Sequence, residues 1–162
     1  MSTSFQFDQT FPGTPGAVLA MLQDGDYVRQ RCDRTGSQDT TVDITGTPGQ
    51  DCVVKSVRVL PTPASAKAFV GDTITVTETQ TWSAPQADGS ASATTIVEFG
   101  GPMVFNGTLT LTGAGDSTTV GTSGDFKASI PFMGGKMEKA ALEQTERYLK
   151  AEEGIGQEWL SR

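Results

Sequence analysis

The chain changes character at Pro131. From Phe5 to Ile130 it reads as a succession of short strands, and after Pro131 it reads as one helix. A hinge, Pro131-Phe132-Met133-Gly134-Gly135-Lys136, leads into the run from Met137 to Glu153, which has no strand-like alternation. A long terminal helix that follows an antiparallel sheet has to bury its apolar stripe on that sheet, and a sheet curved around it is the economical solution. Such a grip leaves space between the two layers, so the division along the chain points to a small-molecule pocket.

Length and charge narrow the alternatives. At 162 residues the chain is expected to form one domain, residues 1–162. A domain of this size buries roughly 70% of its unfolded surface, enough for a core without metals or disulfides. The net charge of -7 argues against nucleic acid and against anionic membrane surfaces, both of which require clustered Lys and Arg. No apolar run is long enough to span a bilayer, so integral membrane association is not expected. The start, Met1 to Phe5, has neither basic residues nor an apolar signal core. That fits a cytoplasmic, reducing setting, in which Cys32 and Cys52 are expected as free buried thiols.

Histidine is absent. This removes the usual general base and the commonest metal ligand, and with them any Ser-His-Asp or Cys-His triad and any His-based zinc site. Gly134-Gly135-Lys136 lacks the upstream glycine and the following Ser or Thr of a phosphate-binding loop. No metal and no cofactor are expected.

The periodicities order the elements. Phe5, Phe7, Gln9 and Phe11 alternate on one face of a strand over residues 4–11. Thr14-Pro15 reads as an N-cap followed by proline at the first helical position, and Asp24 can cap a second short helix through Tyr27, Val28 and Arg31. Strands are expected over 38–45, 52–60, 73–83, 91–99, 104–112 and 118–130. Residues 61–68 are expected as a loop with room for a helical turn. Gly107, Gly121 and Gly124 fall within strands, where glycine marks local twist, a bulge or a bend. In the terminal helix Met133, Met137, Ala141, Thr145 or Gln144, Tyr148, Glu152, Ile155 and Trp159 form one stripe at three- and four-residue steps. Gly154 and Gly156 weaken its last turns unless Trp159 is docked.

Several segments carry a resemblance across essentially the whole chain. They are Asp26-Tyr27, Leu60-Pro61, Trp82, Gly101-Pro102, Asn106-Gly107-Thr108-Leu109 and, most specifically, the run from Ile130 to Glu138. Together they resemble an uncharacterised bacterial family of the START-like superfamily, also called SRPBCC. The resemblance implies an α+β helix-grip fold: a curved antiparallel sheet of about seven strands around a long C-terminal helix, with two short helices after strand 1. It implies a deep apolar cavity between sheet and helix. It carries no catalytic signature, because members of the superfamily bind, carry or transform unrelated ligands.

The strand from Thr73 to Trp82 sharpens the expectation. Threonines at alternate positions make one face polar, so the other holds Ile74, Val76, Glu78, Gln80 and Trp82. The aliphatics mark that face as inward and bring Glu78 and Gln80 with them. A carboxylate there needs a partner, for which Arg58, Lys55 and Tyr148 are the candidates; the alternative is that the strand curls out and leaves Glu78 half solvated. Phe105 and Phe126 are inward on later strands. Met133 and Met137 offer an adaptable wall on the helix, with Met21 and Met103 as further candidates, and Ala140 and Ala141 leave room. The cluster Arg29, Arg31 and Arg34 reads as a solvated face, or as a gate for an anionic headgroup.

The expected ligand contacts are therefore Trp82, Phe105, Phe126, Met133, Met137, Ala141, Gln80 and Tyr148. Glu78 is the single candidate for catalysis. The expected function is binding or carrying of a small apolar molecule (lipid-, polyketide- or isoprenoid-like), without catalysis. The alternative is a cyclase- or hydratase-type enzyme in which Glu78 moves protons, with Tyr148 as a second group.

Overall fold

The computed structural model describes residues 1–64 and 67–162. Strand β1 (Thr3–Pro12) is followed by helices α1 (Pro15–Leu22) and α2 (Gly25–Arg34). Strands β2 (Asp39–Gly46) and β3 (Cys52–Pro61) come next, then a single helical turn, α3 (Lys67–Val70). Strands β4 (Thr73–Trp82), β5 (Ala91–Glu98), β6 (Met103–Ala114) and β7 (Ser117–Ala128) lead into α4 (Gly134–Leu160). All seven strands form one antiparallel sheet in the order β1-β7-β6-β5-β4-β3-β2. This is the START-like grip expected from the sequence. Positions 65 and 66 of the expected 61–68 loop lie outside the described residues.

Local chemistry sets the helix starts. The Thr14 hydroxyl accepts from the Ala17 amide at 3.2 Å, and the Asp24 carboxylate accepts from the amides of Asp26 and Tyr27 at 2.8 and 3.4 Å. Helix α4 has no side-chain cap. Its first turn is tied down by Glu138, whose carboxylate accepts from the Thr3 hydroxyl at 2.7 Å and the Ala128 amide at 2.9 Å. The strand expected to run to Ile130 therefore ends at Ala128, where the last amide turns to the helix instead of to a neighbouring strand.

The curvature has a visible cause. Gly107 and Gly124 face each other across β6 and β7. A Cβ on Gly124 would lie 2.6 Å from the Gly107 Cα and 2.8 Å from the Phe105 ring. The sheet bends there so tightly that β6 and β7 leave no room for a side chain at Gly124.

Two hydrophobic clusters result. One lies under α1 and α2 and holds Phe11, Met21, Tyr27, Trp82, Leu111 and Ile155. The other is aromatic, with Phe126 4.7 Å from Phe105 and 5.5 Å from Phe5 between ring centroids. Trp159 docks edge-on against Tyr27 at 5.5 Å, which fastens the end of α4. Helix α4 lies closest to β1 and β7 and to the two short helices, and it stands off from β3, β4 and β5. Among the described residues no helix is long and apolar enough to cross a membrane.

Candidate functional site

The gap between α4 and the far wall of the sheet is a cavity of about 190 Å³. This is far above the roughly 10–15 Å³ that holds one water. Its exposed lining residues, Pro61, Gly101, Pro102 and Lys136, mark the mouth at the end of β3, the β5–β6 turn and the start of α4. Because the cavity lies beneath the middle of α4, Met137, Ala141, Gln144 and Tyr148 are only half-buried, whereas Glu138 and Ile155 near the two ends are buried.

Most of the expected contacts come together here. Phe105 and Phe126 floor the cavity, Met133, Met137 and Ala141 roof it, and Gln80 and Tyr148 line it further in. Met103 also lines it, but Met21 belongs to the core beneath α1. Trp82 does not reach the cavity. It is 1% exposed within the α1–α2 core, and its indole N–H donates to Gln80 Oε1 at 3.1 Å. It lies one step too far along β4, so it supports the lining from behind.

Glu78 points into the cavity, as the alternation of β4 requires, and is half-buried. Its partners differ from those expected. Arg31 Nη2 lies 3.5 Å from Glu78 Oε1, and Gln80 Nε2 donates to Oε2 at 3.3 Å. Lys55 faces Thr79 across the ladder on the outer face, so strand parity removes it. Arg58 is on the inner face but lies 3.6 Å from Glu152, with its guanidinium over the Tyr148 ring at 5.1 Å.

The three arginines of α2 therefore separate. Arg34 pairs with the exposed Glu158, and Arg29 donates to the Thr40 carbonyl. Arg31, expected on a solvated face, is 6% exposed and serves both Glu78 and Glu152, the latter at 3.7 Å. The pattern Tyr27, Val28, Arg31, Cys32 is a buried helical face with one arginine in it, which is the signal that a charge-cluster reading overlooks. Glu152 likewise stands in the apolar stripe of α4, four residues after Tyr148, where a buried carboxylate requires cations.

Electrostatics follow burial. Burial pushes the Glu152 carboxyl above the usual range, and Arg31 and Arg58 pull it part of the way back. Burial disfavours the Arg31 cation, but Glu152 and Glu78 outweigh it, so this guanidinium is held more firmly protonated than usual. Burial raises the Tyr148 hydroxyl against the pull of Arg58, and it pushes Tyr27 up to about 12. The result is a band of two cations and two carboxylates between an apolar chamber and the α1–α2 core. Cys32 and Cys52 are buried free thiols.

Comparison with known proteins places this architecture. The profile of a family described as a protein of unknown function (DUF2505) matches residues 6–160. The chain belongs to that family. No curated protein matches it. Among solved structures, the protein TTHA0849 from Thermus thermophilus is similar at 17% identity and a TM-score of 0.65, covering 95% of this chain and 97% of that one. A START superfamily protein from Mycobacterium smegmatis is similar at 13% identity and a TM-score of 0.62, covering 96% and 98%. Norcoclaurine synthase from Thalictrum flavum, in complex with dopamine and hydroxybenzaldehyde, is similar at 10% identity and a TM-score of 0.56, covering 100% and 88%. At these identities the likeness establishes the fold.

Proposed function

We propose that this DUF2505 protein binds and carries a small, largely apolar molecule in the cavity between its sheet and α4. The observation that carries the reading is the cavity itself. It is about 190 Å³ in volume, it opens at one end, and it is walled mainly by aliphatic, methionine and phenylalanine side chains. A core in this position could have been filled by larger residues at 140 and 141, where the chain has alanine. Solved neighbours of this fold include a synthase crystallised with two aromatic compounds, which agrees with a site of this kind. The two free thiols favour a reducing, cytoplasmic setting.

The test is native mass spectrometry of protein purified from its own host, compared with Ala141→Trp. The wild type is expected to retain a small molecule, and the variant to fold and to lose it, because the indole occupies the chamber. Equal retention by both would remove the cavity from consideration.

A second reading, a cyclase- or hydratase-type enzyme, is favoured by one observation: Glu78 lines the cavity within reach of Gln80 and Arg31. In that reading Glu78 moves the proton. Glu78→Gln then abolishes turnover and leaves binding largely in place. A carrier shows only a modest change in affinity.

A further inference from the structure

Four charged side chains form a band along the inner end of the cavity. Arg31, Arg58, Glu78 and Glu152 carry two positive and two negative charges, so the band is balanced by itself. The balance is loose. The ionic contacts run from 3.5 to 3.7 Å, beyond the close range of charge-assisted hydrogen bonds. Arg31 Nε is buried and makes no hydrogen bond among the described residues; the Glu152 Oε1 that it faces is 3.7 Å away, beyond hydrogen-bond range. Likewise without a hydrogen bond among the described residues is the buried hydroxyl of Thr95, a cavity-lining residue 2% exposed that faces Gln80 across β4 and β5.

We infer that the ligand is a neutral molecule with one oxygen head, a ketone, phenol or alcohol, which it presents to Thr95 and Arg31 while its apolar body lies against Phe105 and Met137. This rests on the reading of the cavity as a ligand site and adds the chemistry of what enters it.

Two physical arguments select the head. A purely hydrocarbon ligand dries the band and leaves the N–H of Arg31 and the hydroxyl of Thr95 without a hydrogen bond, at the cost of their desolvation. An oxygen acceptor satisfies them. An anionic head places a third negative charge beside two cations in a buried setting, where among the described residues no further cation lines the inner end; Lys136 stands at the mouth. Neutrality and acceptor character are therefore demanded together.

A matched series tests this: naphthalene, 2-naphthol, 2-acetylnaphthalene and 2-naphthoate, titrated into the full chain near neutral pH by calorimetry or intrinsic fluorescence. The naphthol and the ketone are expected to bind about tenfold tighter, or more, than naphthalene and naphthoate. Thr95→Val, whose fold is checked by circular dichroism and thermal unfolding, is expected to narrow the gap between ketone and naphthalene. Naphthoate binding as tightly as the ketone overturns the inference and leaves the cavity a ligand site. Naphthalene binding as tightly does the same. An unchanged gap in Thr95→Val overturns the role of that hydroxyl. If none of the four binds, the ligand-site reading itself falls.

Discussion

Glu138 is 1% exposed, yet it is held in its charged form. Burial alone would push its carboxyl up, but the Ala128 amide, the Thr3 hydroxyl and nearby positive charge outweigh burial and hold it below its ordinary value of 4.5. A group whose folded pKa is depressed stabilises the fold above its unfolded value and loses that contribution as pH falls through the folded one. Glu138→Gln is therefore expected to lower stability at neutral pH and to flatten its decline below about pH 4.5, measured as urea midpoints across that range. An unchanged acid limb would show that the carboxylate contributes nothing there. Glu152 has the opposite sign: its raised pKa makes protonation favour the folded state as pH falls toward 4.5. Neither residue stands out by type. What distinguishes Glu152 is its position within an apolar stripe, the same cue that identifies Arg31 on α2; Glu138 lies outside that stripe and is known only by its contacts with Thr3 and Ala128.

At the scale of the element, α4 carries two glycines two residues apart with opposite roles. Gly154 is exposed, and an added Cβ meets nothing within 4 Å. Gly156 is buried, and a Cβ there would collide with the Phe11 ring and lie 3.1 Å from Met21 Cε. Gly154→Ala is expected to stabilise by about 1 kcal/mol through helix propensity alone. Gly156→Ala gains the same propensity but forces the helix off β1 and α1, with a net loss of roughly 1–3 kcal/mol. Chemical denaturation of the two variants checks both signs, and a stabilising Gly156→Ala would mean that the contact with Phe11 is slack. The sequence shows only two residues unfavourable to a helix. Which of them permits close packing depends on where α4 crosses the sheet. By contrast, the strands were legible to within two residues at each end, because an alternation of apolar and polar residues has one satisfactory orientation on a half-buried sheet.

The whole molecule is two cores with a chamber between them. The α1–α2 cluster and the phenylalanine cluster each pack tightly, and α4 bridges them over the gap. Such a protein gains stability when the gap is filled. A ligand at about 100 times its Kd adds about 2.7 kcal/mol, a rise in Tm of roughly 5–11 °C for a chain of this length. The same ligand is expected to leave the Tm of Ala141→Trp unmoved. The order of the elements, the inward faces of the strands, the grip of sheet on helix and the meeting of Glu78, Phe105, Phe126 and Met137 at one chamber can all be read from the residues alone. These follow from periodicity, which is local. That Arg31 meets Glu78 across 47 positions of sequence, that Glu152 draws in Arg58 and that Trp82 stops short of the cavity emerges once the layers are packed. Those outcomes depend on strand register and on the height of one helix above the sheet. A few ångströms in either exchange one ion-pair partner for another, and no single segment of the chain encodes that distance.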